Sequence, residues 1–305
     1  MPSKVFEAQA ALLVRTLPYV AAETCFALKG GTAINLFIRD LPRLSVDIDL
    51  VYLPIANREA SLLEIRSSLA RIAQSIRKAI PGSAVTENAT SDGTRVVVRH
   101  RSAQIKIEVT PVLRGAVHPV ELRTVRPATE ERFGFAEIQV VSFADLYAGK
   151  LVAALDRQYP RDLFDVQRLL TNEGINDALF QTFLVYILSH NRPAHEVLQP
   201  RLKDIGQAFQ QDFVGMTTGE TSLEVLLTAR VQLISEIRSH LDERSKQFLL
   251  SFHELKPDWS LLGTPDISNL PAISWKLMNL ELLQTKQPDK YRSLIREIEN
   301  ITSNG

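Results

Sequence analysis

The chain has 305 residues, 45% hydrophobic and 23% charged, with a formal net charge of zero. That length can bury a full core and hold two domains, and the composition is that of an ordinary soluble protein. Zero net charge excludes bulk attraction to nucleic acid or an anionic membrane, so any basic surface must be local. The single Cys25 excludes an internal disulfide framework and fits a reducing cytosol. The opening MPSKVFEAQAALLVRTLPYV lacks the apolar core of an export signal, and no run approaches the ~18 apolar residues of a membrane span. The expectation is a cytoplasmic protein with no membrane partner.

In chain order, residues ~4–17 read as a helix and CFALKG (25–30) as a buried strand. TAINLFI begins a second helix, with Thr32 as its N-cap. DIDLVY (47–52) alternates as a strand, and residues 58–80 form a strongly amphipathic helix stopped by Pro81-Gly82. Three strand-like runs follow, at 94–100, 104–111 and 137–141. A helix opens at Ser142, with Asp145 three residues on, close to a capping box. Beyond residue ~171 the periodicity is helical throughout. The pattern predicts an α/β domain over 1–170 and a helical domain over 171–305. His190 and His195, five apart with Pro193 between them, have a poor metal-ligand spacing and read as surface residues.

The strand DIDLVY poses the chemical question. Asp47 and Asp49 share one face, with roots roughly 6–7 Å apart. Two carboxylates ~6 Å apart, at an effective dielectric of about 20, repel by roughly 3 kcal/mol. A divalent cation would remove that cost, and so would partnership with Arg or Lys. Upstream, Gly30-Gly31-Thr32 lies between a strand and a helix. Glycines let a phosphate approach the backbone, and helix N-terminal N–H groups favour an anion. In QIKIEVTP (104–111), Lys106, Glu108 and Thr110 share one face, which makes Glu108 a candidate third carboxylate or simply a residue of an exposed polar face. Lys150 interrupts the apolar helical stretch LYAGKLVAAL, where it either snorkels outward or meets an anion. Asp162 and Asp165, three apart near Arg157 and Arg161, form a local charge cluster.

LKGGTAINLF followed by LPRLSVDID resembles the start of the AbiEii/AbiGii toxin family, within the DNA polymerase β-like nucleotidyltransferase superfamily. YAGKLVAALDRQYPRDLFDVQRLL (147–170) is similar to that family's Lys-bearing helix and Arg-Asp-x-x-Asp turn. The resemblance implies an α/β (α+β) nucleotidyltransferase domain with a mixed sheet, followed by a mainly helical domain. It implies an enzyme that moves a nucleoside monophosphate from an NTP to an acceptor hydroxyl. Asp47, Asp49 and Glu108 would hold Mg²⁺ or Mn²⁺, and Gly30, Gly31, Thr32 and Lys150 would bind the nucleotide. Asp162 would orient Lys150 or an acceptor group. Glu108 departs from the more usual Asp, and Thr32 stands where the wider superfamily has Ser.

By resemblance the protein is the toxin of a toxin–antitoxin or abortive-infection system, with tRNA or another RNA as acceptor and a cognate antitoxin as partner. RTVRPATEERF (123–133) and Trp275-Lys276 are candidate RNA contacts. Two alternatives stay open at this point: an aminoglycoside-type antibiotic nucleotidyltransferase, and a non-catalytic binding protein that retains the fold.

Overall fold

The computed structural model describes residues 3–90, 93–264 and 267–303. The chain divides into two compact units, Met1–Leu146 with Phe209–Thr221, and Tyr147–Ala208 with Ser222–Gly305.

The first unit opens with α1 (Lys4–Ala21), whose first turn is capped by Ser3. β1 (Phe26–Lys29) leads into a single α-turn, α2 (Gly30–Ala33), which continues as a π-helical turn over Ile34–Ile38. Then come β2 (Asp47–Tyr52) and α3 (Arg58–Ala79). Asn57 caps α3 by accepting from the Ala60 N–H at 2.9 Å, and Gly82, at φ +78°, turns the chain after its end. β3 (Ala84–Thr90), β4 (Gly93–His100), β5 (Ala103–Arg114), β6 (Glu121–Thr124), α4 (Pro127–Phe133) and β7 (Glu137–Val140) complete the sheet region. α5 (Phe143–Asp156) begins in this unit.

The seven strands lie in the order β3-β4-β5-β2-β1-β7-β6. β2–β5 and β1–β7 pair parallel and the other neighbours antiparallel, so the sheet is mixed. The period-two pattern sets its faces. Ile48, Leu50, Ile105, Ile107 and Val109 are buried, together with Leu13 and Leu17 of α1 and Ile65, Leu69 and Ile72 of α3. Alternate positions on β2 and β5 carry Asp47, Asp49, Lys106 and Glu108, all partly exposed. The β2–β5 register slips between Leu50 and Tyr52, opposite the stretch containing Pro111, which has no N–H for the ladder. Two strands went unread in the sequence. β3 (AVTENAT) lacks clean alternation, and β6 is a four-residue edge strand that leaves Leu122 exposed.

Ser142 and Asp145 form a variant of the expected capping box. The Asp145 N–H donates to Ser142 Oγ at 3.0 Å, but the Asp145 carboxylate takes the Ser142 hydroxyl and the backbone N–H groups of Val117 and His118. One buried carboxylate thus starts a helix and fastens a loop. Segment Phe209–Thr221 joins this unit through backbone bonds, Leu44 N–H to Met216 C=O at 2.8 Å and Ser3 N–H to Gly215 C=O at 2.8 Å.

The second unit takes the rest of α5, then α6 (Pro160–Asn172), α7 (Asp177–Leu188), α8 (Ala194–Leu198), α9 (Gly206–Ala208), α10 (Leu223–His240), α11 (Glu243–His253), α12 (Pro271–Lys286) and α13 (Pro288–Ser303). Among its described residues there is no strand. Phe164, Phe180, Phe183, Leu233, Phe248 and Phe252 are fully buried, and Trp259 packs its ring against Phe248 and Phe252. Among the described residues, no helix is long and apolar enough to cross a membrane.

The histidines expected at the surface are half-buried: His190 Nε2 lies 3.2 Å from Asp156 Oδ2, and His195 Nδ1 is buried with no partner. His253 is fully enclosed, its Nδ1 2.7 Å from Leu249 C=O and its Nε2 buried without a partner. Burial pushes its pKa down to about 4, against the hydrogen bond to Leu249, which favours the proton. The unfolded ring takes up a proton near 6.5 and the folded ring near 4, so between those values the unfolded chain binds more protons. Stability is therefore full above pH 6.5 and falls by roughly 3 kcal/mol as pH drops to 4. Urea midpoints across pH 7 to 4 check this. His253→Gln should flatten the profile, and a wild-type profile no steeper than the variant's contradicts it.

Candidate active site

The chemistry suggested by GGT and DID is drawn together in the first unit. Gly30 follows β1 with φ +74°, a left-handed conformation that strains a residue with a Cβ. A Cβ placed there would lie 2.5 Å from Asp49 Oδ2, so the absent side chain leaves room for that carboxylate. A Cβ at Gly31 would lie 2.5 Å from Arg43 Nη2 and 3.4 Å from Ser45 Oγ. The two glycines thus hold the turn tightly against the start of β2.

Thr32 is not the N-cap. The helix opens two residues earlier, with Lys29 at the cap position and no side-chain cap bond, because the positive φ of Gly30 already turns the chain. The buried Thr32 hydroxyl donates to the Asp47 carbonyl at 2.5 Å and lies 2.8 Å from Ser45 Oγ. It ties the glycine turn to the strand that carries the aspartates.

Strand register sets a charged row across four strands. Asp49 stands opposite Lys29 of β1 on one side and Glu108 of β5 on the other, and Glu108 stands opposite Arg95 of β4. Asp47 is paired with Lys106. Cations therefore flank the carboxylates and offset part of their repulsion. Arg95 Nη1 is 3.8 Å from Glu108 Oε1, and with both side chains more than 40% exposed the pair is weak.

Among the described residues, no three His, Cys, Asp or Glu side chains are gathered into a metal-binding group. The donors nevertheless suit a hard divalent cation: Asp47 and Asp49 offer carboxylate oxygens on one face, and Gly30 keeps the space beside Asp49 Oδ2 clear of a Cβ. Glu108 belongs to the same row, with its carboxylate near Arg95.

Gly30→Ala puts a Cβ into that space and into a left-handed backbone. The expected result is a loss of about 1–2 kcal/mol of stability from the backbone. Asp49 must also shift, with loss of any activity that needs it. Denaturant unfolding and a transfer assay on the folded variant check both parts; unchanged stability would contradict the backbone reading.

Lys150, Asp162 and Asp165 lie in the second unit. Lys150 is 5% exposed, and its Nζ is 2.9 Å from Asp162 Oδ1 and 3.0 Å from Asp165 Oδ2. Arg157 Nε donates to Asp162 Oδ2 at 2.6 Å and Nη2 to Oδ1 at 3.1 Å. Burial alone would raise the Asp162 carboxyl, but the charges of Lys150 and Arg157 and their hydrogen bonds hold it well below the usual carboxylate range. Of the two readings open to Lys150, the snorkelling one fails. The cation meets anions, and these anions belong to the protein.

Arg43 and Ser45 were missed as companions of the site. The signal was present, since polar residues stand at every second position over 43, 45, 47 and 49. The candidate RNA contacts fare unevenly. Lys276 is turned inward, its Nζ donating to the carbonyls of His190 at 2.9 Å and Arg192 at 3.2 Å, and burial pushes it down to about 8. It is not a surface cation. Trp275 beside it is 50% exposed. Arg123 pairs with Glu121 and Arg132 with Glu7, so two of the three arginines in 123–133 already have acidic partners.

A mixed sheet with a glycine turn locked onto a two-aspartate strand, and a mainly helical unit beyond it, is the fold class of a nucleotidyltransferase domain with a helical domain following. The family described as the nucleotidyl transferase AbiEii toxin, Type IV TA system, matches residues 11–279, and the chain belongs to that family. MenT4, a nucleotidyltransferase toxin from Mycobacterium tuberculosis H37Rv, has a similar structure, with a TM-score of 0.60 over 90% of this chain and 93% of that one. At 17% sequence identity the likeness is one of fold. A search of curated proteins by sequence gives no significant match.

Proposed function

We propose that this protein transfers a nucleoside monophosphate from an NTP to an acceptor hydroxyl, as the toxin of a toxin–antitoxin or abortive-infection system acting in the cytoplasm. The observation that carries the reading is the clearance at Gly30 beside Asp49 Oδ2, on a strand that also presents Asp47, in a chain of this family. Asp47 and Asp49 would hold Mg²⁺ or Mn²⁺, and Glu108, next in the row, would assist. A divalent cation there supplies charge neutralisation for phosphoryl transfer. The chain's own part is positioning: the Gly30-Gly31 turn offers backbone to the phosphates, and Thr32 fixes that turn to β2. The role of Lys150 toward the nucleotide rests on the family motif; Asp162, 2.9 Å from its Nζ, would orient it, with Asp165 beside it at 3.0 Å.

The proposed acceptor is RNA, with tRNA as its first candidate, and a cognate antitoxin as partner follows from the family. Labelling purified tRNA and an aminoglycoside in parallel, across a salt series, tests the acceptor. RNA labelling should fall steeply as salt rises, because each neutralised phosphate releases counterions. Strong aminoglycoside labelling with none on tRNA would replace the toxin reading by that of a resistance enzyme.

A further inference from the structure

Among the described residues, a buried arginine of the helical unit meets no anion and keeps one edge unpartnered. Arg230, on α10, is 8% exposed, and its Nη1 donates to Gln158 Oε1 at 3.0 Å and to the Lys203 carbonyl at 2.7 Å. Both acceptors are neutral. The Nε is buried with no partner, and among the described residues Nη2 makes no hydrogen bond. Burial pulls the guanidinium pKa down, with no carboxylate to oppose it. Lys150, buried in the same unit, is matched by two aspartates, whereas Lys276 spends its Nζ on the carbonyls of His190 and Arg192. A guanidinium kept from water without a counter-charge is costly. The edge left open, Nε with Nη2, is one that grips an oxyanion through two parallel bonds.

The surroundings are built to hold that edge in place. Gln158 adopts φ +57° and is almost completely buried. Its Nε2 donates to the Arg201 carbonyl at 2.9 Å and its Oε1 accepts from the Lys203 N–H at 3.1 Å, besides the bond from Arg230. The stretch 201–203 is therefore held through its main chain, which leaves Arg201 and Lys203 as exposed residues. Lys203 Nζ rests on the Asp156 carbonyl at 2.8 Å. Asp204, the nearest acid in sequence, spends Oδ1 on the Gly206 N–H at 2.8 Å.

We propose that Arg230, fixed by Gln158 and bordered by Arg201 and Lys203, is a binding site for a phosphate oxyanion, either a free phosphate group or one of a nucleic-acid backbone. The site stands apart from the transfer reading, because it is read by binding alone. The test uses the full chain in EDTA at constant ionic strength, with inorganic phosphate and with a single-stranded RNA oligonucleotide as probes. Phosphate should raise the wild-type melting temperature saturably, and Arg230→Gln should abolish that rise. If the variant does not fold, hydrogen exchange on wild type decides, with phosphate expected to protect amides at 158 and 201–203.

For RNA, the slope of log affinity against log salt should fall by about one in Arg230→Gln if the ligand is a backbone phosphate. An unchanged slope with phosphate protection assigns the site to a free phosphate group. No melting shift, no protection and no change of slope would overturn the proposal, as would a phosphate effect that persists in the folded variant.

Discussion

Asp49→Asn should abolish nucleotide transfer while leaving the fold intact. Asp49 sits between Lys29 and Glu108 in the cross-strand row, so neutralising it loses one attraction and relieves one repulsion. The net effect on stability is small, within about 1 kcal/mol for a partly exposed sheet position. Its effect on chemistry is large, because the carboxylate beside the Gly30 clearance is the proposed cation ligand. Losing about 4 kcal/mol of charge stabilisation slows a reaction on the order of 10³-fold. Asp47→Asn should behave alike. Matched measurements of turnover and denaturant midpoint check the pair of claims; near wild-type transfer in the Asp47→Asn/Asp49→Asn double variant would remove the proposed site.

Lys150→Met should give the largest stability effect. Lys150 Nζ bridges two fully buried carboxylates at 2.9 and 3.0 Å, and removing it leaves Asp165 without that cation and Asp162 with Arg157 alone. Breaking a buried pair by deleting one partner costs about 3–5 kcal/mol, mostly from the charge left behind. Adding Asp165→Asn should recover part of the loss. Denaturant unfolding of the single and double variants measures it, and a Lys150→Met loss below about 1 kcal/mol would mean that water or another cation takes over the aspartates. Measuring transfer on the folded fraction separates this structural role from the nucleotide role implied by the family motif.

What the sequence made legible is what local rules govern. The alternation in DIDLVY and QIKIEVTP placed Asp47, Asp49 and Glu108 on one sheet face, and the register then set Asp49 directly beside Glu108. Helix periods were equally plain, α3 ending where Pro81-Gly82 said it would. Less legible were features that depend on distant partners. Thr32 has the chemistry of an N-cap, but a positive φ at Gly30 and a carbonyl fifteen residues away gave its hydroxyl other work. Lys150 and Lys276 are both lysines in largely apolar helices. Only tertiary structure tells that one meets aspartates and the other meets backbone carbonyls. The attachment of Phe209–Thr221 to the first unit runs through main-chain bonds to Leu44, Ser3 and Pro42 and through the Thr218 hydroxyl on the Leu41 and Pro42 carbonyls, partners that lie far away in sequence.

The most direct test of the central claim compares α-labelled and γ-labelled NTPs, incubated with the protein, a divalent cation and tRNA. Nucleotidyl transfer carries the α-phosphate onto the acceptor and releases the β- and γ-phosphates together as pyrophosphate. If the Asp47–Asp49 site performs nucleotidyl transfer, acceptor is labelled from the α position only, and from neither position with Asp49→Asn. Acceptor labelled from the γ position, or α-labelling that survives Asp49→Asn, would contradict that role.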